Sequence, residues 1–195
     1  MNDRLRSFVV ALSELTADAA AASESWTLSR IEPLMRDLLA HDDWLPDEFA
    51  QPHPQYYQQY LLYGDPRERF SVVSFVWGPG QRTPIHDHTV WGVVGVLRGA
   101  EYGQRYRVGA HGLQAVGDEE RLLPGDVALV SPTLGDIHRV RNALDDAVSI
   151  SVHVYGGNIG RVRRHVFDEA SGATREFVSG YANAFTPNLW CAPPR

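Results

Sequence analysis

Cysteine is almost missing from this chain. Among 195 residues there is one, Cys191, so no disulfide can close within the sequence, which agrees with a reducing compartment. It sits in the tail CAPPR, where a free thiol is the simple reading. Long apolar runs are missing too: nothing approaches the roughly 20 consecutive apolar residues that span a bilayer, and no basic-then-apolar leader opens the chain. A cytoplasmic protein that touches no membrane is therefore expected. Positive charge is in short supply, with 18 Lys+Arg against 24 Asp+Glu and a net charge of −6. Only Arg161, Arg163 and Arg164 cluster, too few for the dense cationic face that displaces counterions from phosphates, so no nucleic-acid partner is expected. Low-complexity segments and internal domain repeats are also lacking. What remains is 44% hydrophobic and 22% charged, an ordinary globular composition, at a length that suits a single domain.

The periodicity changes along the chain. Leu5, Phe8, Val9, Leu12 and Leu15 recur at helical spacing and predict an amphipathic helix. After the small-residue linker 19–25, Ser29 and Glu32 form a capping-box pattern, Pro33 falls in the first turn after it, and Ile31, Leu34, Met35, Leu38 and Leu39 make a second stripe. From residue 70 the pattern is that of strands: 70–77, 90–97, 102–108, 113–116, 127–130, 137–141, 148–155 and 162–167, separated by turn residues such as Gly78-Pro79-Gly80 and Gly156-Gly157-Asn158. Many short strands with such turns predict a mainly β fold, a small barrel, carrying an N-terminal helical layer. The expected organisation is one domain over 1–195, with helices in 1–45, a barrel core in 70–167 and a C-terminal extension in 168–195.

The stretch 80–99, GQRTPIHDHTVWGVVGVLRG, contains His86 and His88. Two residues apart on a strand, these imidazoles share a face while Asp87 points to the other, so they can share one metal. The spacing G-x5-H-x-H-x3-G-x6-G resembles the first motif of the cupin superfamily, with Gly92 where most cupins carry a glutamate ligand. From Gly125 the chain reads GDVALVSPTLGDIHRVRN. Here Gly125, Pro132, Gly135, His138 and Asn142 resemble the second cupin motif with one extra residue on each side of Pro132, and the resemblance makes His138 the third ligand.

Three neutral imidazoles hold a divalent cation without cancelling its charge. A six-coordinate metal bound on one face keeps up to three positions for substrate and oxygen. A glutamate at position 92 would have supplied a permanent negative charge. Gly92 leaves that charge and that space to an incoming thiolate or carboxylate. Sulfur ligation and oxygen chemistry both favour a redox-active metal, which zinc is not, so one Fe(II) per chain is the first choice on physical grounds.

In the strand VSISVHVYGG, Ser151, His153 and Tyr155 share one face and Val148, Ile150, Val152 and Val154 the other. Inward-facing polar groups need partners, and a hydrogen-bonded relay would satisfy all three. With the two cupin motifs upstream, this S-x-H-x-Y triplet is similar to the thiol dioxygenases of the cysteine dioxygenase family, over most of the chain to about Phe167. The resemblance implies a cupin fold, Fe(II) held by His86, His88 and His138, and addition of both atoms of O2 to a small-molecule thiolate to give a sulfinic acid. It also implies an outer network of Ser151, His153 and Tyr155, with the Tyr155 phenol nearest substrate and oxygen.

The animal enzymes of that family carry a cysteine at the position of Gly92, crosslinked to the tyrosine matching Tyr155, and an arginine that grips the substrate carboxylate. Here the stretch YYQQYLLYGD offers Gln58 and Gln59 in its place, a pattern resembling the bacterial 3-mercaptopropionate dioxygenases. By that alignment Gln59 is the substrate-facing amide, with Gln58 one residue away. An amide donates less than a guanidinium fork, so another group must help hold the carboxylate. Arg164 is the candidate, with Arg163 and Arg161 behind it. A cysteine dioxygenase, a cupin enzyme acting on another substrate, and a non-enzymatic ligand-binding cupin are the rival readings.

Overall fold

The computed structural model describes residues 3–17, 23–110 and 112–190. Cys191 with the rest of its tail, and positions 19–22 of the linker, lie outside them. Helix α1 (Asp3–Leu15) buries Leu5, Phe8, Val9 and Leu12. Helix α2 (Glu24–Leu39) buries Leu28, Ile31, Met35, Leu38 and Leu39, so both apolar stripes are the buried faces. The expected start of α2 is not where the helix begins. Ser23 is the N-cap and accepts from the Trp26 N–H, while Ser29 is internal and donates its hydroxyl to the Trp26 carbonyl. Pro33 therefore lies inside the helix. Burial of Thr27 and Leu28 extends the apolar stripe upstream, and that packing keeps the helix continuous through a proline that costs it a hydrogen bond. No helix among the described residues is long and apolar enough to cross a membrane.

Eleven strands follow: β1 (Gln58–Gly64), β2 (Ser71–Trp77), β3 (Ile85–His86), β4 (Gly92–Arg98), β5 (Glu101–Gly109), β6 (Gly112–Leu122), β7 (Val127–Val130), β8 (His138–Asn142), β9 (Ser149–Tyr155), β10 (Arg164–Phe167) and β11 (Thr174–Phe177). They form a five-stranded sheet, β1-β2-β9-β4-β7, and a six-stranded sheet, β11-β10-β3-β8-β5-β6, with every pair antiparallel. The sequence pattern missed β1 and β11, and split the long β5–β6 hairpin too short. Part of the expected C-terminal extension is thus an edge of the second sheet.

Apolar side chains sort into two cores. Val72, Val76, Val93, Ile150, Val152 and Val154 point out of the five-stranded sheet and pack with the helical residues. Val73, Phe75, Trp77 and Tyr155 point the other way, into the space between the sheets, and meet Val140 and Ile159. All seven residues of β2 and all seven of β9 are buried in consequence.

Gly95 marks how closely α2 lies on this sheet. A Cβ there would stand 2.5 Å from Leu39 Cδ1 and 2.9 Å from Met35 Cγ. Gly95→Val is expected to lower stability by about 1–3 kcal/mol through overpacking, read from the urea midpoint, with metal content unchanged. A midpoint at or above the wild-type value would show that the helix is not clamped there.

Candidate metal centre

His86 ends β3 with its Cα opposite that of His138, the first residue of β8. On its other side His138 faces Arg105 of β5. His88 follows just past the strand end. One ligand nitrogen from each ring lies within 4.8 Å of the other two, and all three residues are buried, so the cluster could hold a metal ion. The ring chemistry fits one. His86 Nδ1 lies 3.1 Å from the Pro84 carbonyl, which can only accept, so Nδ1 carries the proton and Nε2 the lone pair. His88 Nδ1–H donates to Asp136 Oδ1 at 2.9 Å, leaving a buried Nε2 with no hydrogen-bond partner. Burial, and then the neighbouring imidazoles, push protonation of His86 and His138 well below the ordinary histidine value. Their lone pairs are therefore free at neutral pH.

The sequence alone assigns Asp136 no role, although it sits two residues before His138. Besides the His88 ring, its carboxylate accepts the backbone N–H of His88 at 3.0 Å and of Thr89 at 2.8 Å. Burial opposes its charge, but these hydrogen bonds outweigh burial and hold its pKa below the usual carboxylate value. The same turn puts Thr89 at φ 59, a left-handed conformation that a β-branched residue adopts only when its surroundings impose it. Asp87 points away, as expected, and accepts from the backbone N–H and Nδ1–H of His165 at 2.7 and 2.8 Å, tying the turn to β10.

Across the barrel, β9 brings Ser151, His153 and Tyr155 into one row. Ser151 Oγ lies 2.8 Å from His153 Nε2, and His153 Nδ1 lies 2.8 Å from the Tyr155 hydroxyl. Trp77 Nε1–H, from β2, donates to Ser151 Oγ at 3.2 Å, and Phe75 stacks on the His153 ring at 4.2 Å. Burial lowers the His153 pKa well below its ordinary value and raises that of Tyr155, so both are neutral. The Tyr155 ring stacks 5.2 Å from that of His88, which brings the end of the row to the histidine cluster.

Beside His86 opens a cavity of about 200 Å³ lined by Tyr57, Gln59, Arg164, Arg175 and Ser179, among others. Gln59 is 8% exposed and Arg164 3%. Gln58 does not line it and spends its amide on the carbonyls of Tyr56 and Tyr57. Arg161 and Arg163 are exposed and pair with Glu68 and Glu176. Ser179, which no sequence signal singled out, joins the two inward groups. Its hydroxyl accepts from Arg164 Nη2 at 2.7 Å and from Gln59 Nε2 at 3.2 Å.

Residues 30–169 match the family described as cysteine dioxygenase type I. The chain belongs to that family. Solved structures similar to it include a conserved protein with a double-stranded β-helix domain from Klebsiella pneumoniae, at 18% identity over 71% of this chain and 98% of that one, with a TM-score of 0.47. Another is a cupin 2 domain-containing protein from Halorhodospira halophila, at 19% identity over 66% and 80%, TM-score 0.46. A cupin superfamily protein from Desulfitobacterium hafniense is similar at 13% identity over 60% and 94%, TM-score 0.45. The fold of this cysteine dioxygenase family member is mainly β, two antiparallel sheets with two N-terminal helices.

In this family member Gly92 pairs with Tyr155 across β4 and β9. A Cβ at position 92 would lie 2.9 Å from Tyr155 Cδ1 and 2.9 Å from Val130 Cγ2, so Tyr155 fills the space that a side chain there would need. Peptide mapping is expected to find Tyr155 unmodified, and a thioether-linked Tyr155 peptide would overturn that expectation. His86→Ala, His88→Ala or His138→Ala should each lower bound metal about tenfold or more in a folded protein, and Asp136→Asn about 10–100-fold through the freed His88 ring. Metal analysis with circular dichroism checks both, and full occupancy in the histidine variants would exclude the cluster as the metal site.

Proposed function

We propose that the protein is an Fe(II)-dependent thiol dioxygenase acting on a small thiol acid, with 3-mercaptopropionate, converted to 3-sulfinopropionate, as its best substrate. Both atoms of O2 join the thiolate sulfur, and no outside reductant is consumed. The observation that carries the choice of substrate is the lining of the cavity beside His86. Among the described residues it includes two arginines, Arg164 and Arg175, an amide, Gln59, and no carboxylate. Such a wall attracts an anionic head group and offers an ammonium no counter-charge, so an amino acid thiol would lose solvation without compensation.

Within that reading His86, His88 and His138 hold the metal, and bound Fe(II) would supply a redox-active cation with coordination positions open to thiolate and O2. The chain's own side chains do the rest. Arg164 grips the substrate carboxylate. One of its arms is held by Ser179, while Nε is buried without a partner, a donor left to spend. Gln59 is fixed by Ser179 and by the Gly180 carbonyl, to which it donates at 3.0 Å, so it shapes the pocket more than it reaches for the ligand. Tyr155, kept protonated by burial, hydrogen-bonds the reacting groups from above His88.

Oxygen uptake after Fe(II) loading tests the reading. The kcat/KM for 3-mercaptopropionate should exceed that for L-cysteine by about tenfold or more, and Arg164→Ala should lower it about 10–100-fold, mainly through KM. His153→Asn and Tyr155→Phe should depress turnover about 10–100-fold while retaining iron. A clear preference for L-cysteine would move the assignment to a cysteine-oxidising enzyme. No uptake with any thiol would move it outside thiol chemistry.

A further inference from the structure

The two sheets leave two open sides. Where the edge strands β1 and β11 face each other, the cavity of about 200 Å³ reaches His86 past Gln59 and Arg164. The other pair of edges, β7 and β6, flanks a second cavity, of about 140 Å³, and this one reaches His138. The burial of the three histidines agrees with two approaches from opposite sides. His86 is 7% and His138 8% exposed, whereas His88, which lines neither cavity, is 0% exposed.

The walls of the two cavities differ in kind. The first carries Arg164 and Arg175. The second has Arg105, whose Nη2 donates to the Leu129 carbonyl at 3.1 Å and so crosses from β5 to β7. Asp118 and Glu120 stand exposed on its β6 rim, and like charge at the mouth of a cleft repels an anionic thiol acid. Inside, Val94, Ala128 and Val130 make an apolar wall from β4 and β7, with Val140 beside His138 on β8. That wall ends next to Gly92, since Val130 Cγ2 lies 2.9 Å from where a Cβ there would stand. Water that enters finds Glu101, a buried carboxyl with neither oxygen hydrogen-bonded, but on the β5 wall. The valine side offers water no partner and suits a small apolar molecule.

We infer that the gap between β6 and β7 is a separate entrance, by which O2 reaches the histidine cluster while the thiol occupies the arginine-lined cavity. The choice of O2 rests on the function proposed above. A thiol acid held by Arg164 fills the way past His86, so the second reactant needs a path that the first does not block. An apolar passage with an acidic rim admits an uncharged diatomic and turns away both the anionic substrate and its sulfinate product.

Xenon, an inert probe of apolar cavities, tests the passage without turnover. In the zinc-loaded full chain xenon should shift the methyl NMR signals of Val94, Val130 and Val140, and Ala128→Phe, which fills the passage, should abolish those shifts. No xenon shift at these valines in wild type would overturn the inference. Val116→Trp, at a 44% exposed position opposite Arg105 on the rim, is a second plug that replaces no buried side chain. In the iron-loaded protein both variants should slow the association of nitric oxide, an uncharged stand-in for O2, about tenfold, and lower kcat/KM for O2 about tenfold. Iron content and the KM for 3-mercaptopropionate should stay at their wild-type values. Wild-type rates for both gases in both variants would overturn the inference. If no thiol is oxidised but the plugs exclude xenon and slow nitric oxide, the function proposed above fails and the second entrance stands.

Discussion

The centre of the protein is a strand that water cannot reach from either side. β9 lies between β2 and β4, with the helical layer over one face and the second sheet over the other. On the helical side the consequence is simple, because Ile150, Val152 and Val154 need only apolar neighbours. On the inner side the strand carries Ser149, Ser151, His153 and Tyr155, all buried, and unpaired polar groups there would be costly. Alternate residues on a strand are roughly 7 Å apart, a gap that an imidazole bridges by offering one nitrogen to each neighbouring hydroxyl. The row is thus an answer to burial whatever else it does.

The opposite sheet solves a related problem with carboxylates. His86, Asp87 and His88 alternate as strand residues do, although β3 is only two residues long and the chain turns at Thr89. Two hydrogen-bond systems preserve the alternation past the strand end: Asp136 takes hold of His88 and of the turn, and Asp87 takes hold of His165. Placement of the histidines therefore depends on two anions on opposite sides of the same short segment.

Much of this was legible in the sequence because it follows from period-two alternation or short spacing. The H-x-H pair, the His138 segment and the S-x-H-x-Y row are local patterns, and the structure brings each group together. What was hidden depends on pairing between distant parts. The first helical turns of α2 were overlooked because Ser29 and Glu32 satisfy a capping pattern, whereas Ser23 caps a helix whose earlier turn is buried by tertiary packing. β1 reads QQYLLYG, without clean alternation, and is a strand because β2 pairs with it. Glu101 opens a hairpin whose second strand is largely exposed, so nothing local distinguishes it from a solvated acid. Ser179 is an unremarked serine until Arg164 and Gln59 converge on it.

The segment after β11 is held to β1 without being a strand. The Asn183 side chain accepts the Leu61 N–H and donates to the Leu61 carbonyl, as a neighbouring strand's backbone would, and Ala182 N–H donates to the Gln59 carbonyl. Gln59 and Ser179 are 120 positions apart, whereas the three histidines all fall within 86–138. During synthesis, the residues for holding a metal are therefore all present well before the wall that would sort its ligands. On the function proposed above, the order of the chain would separate acquisition of the ion from discrimination among small molecules.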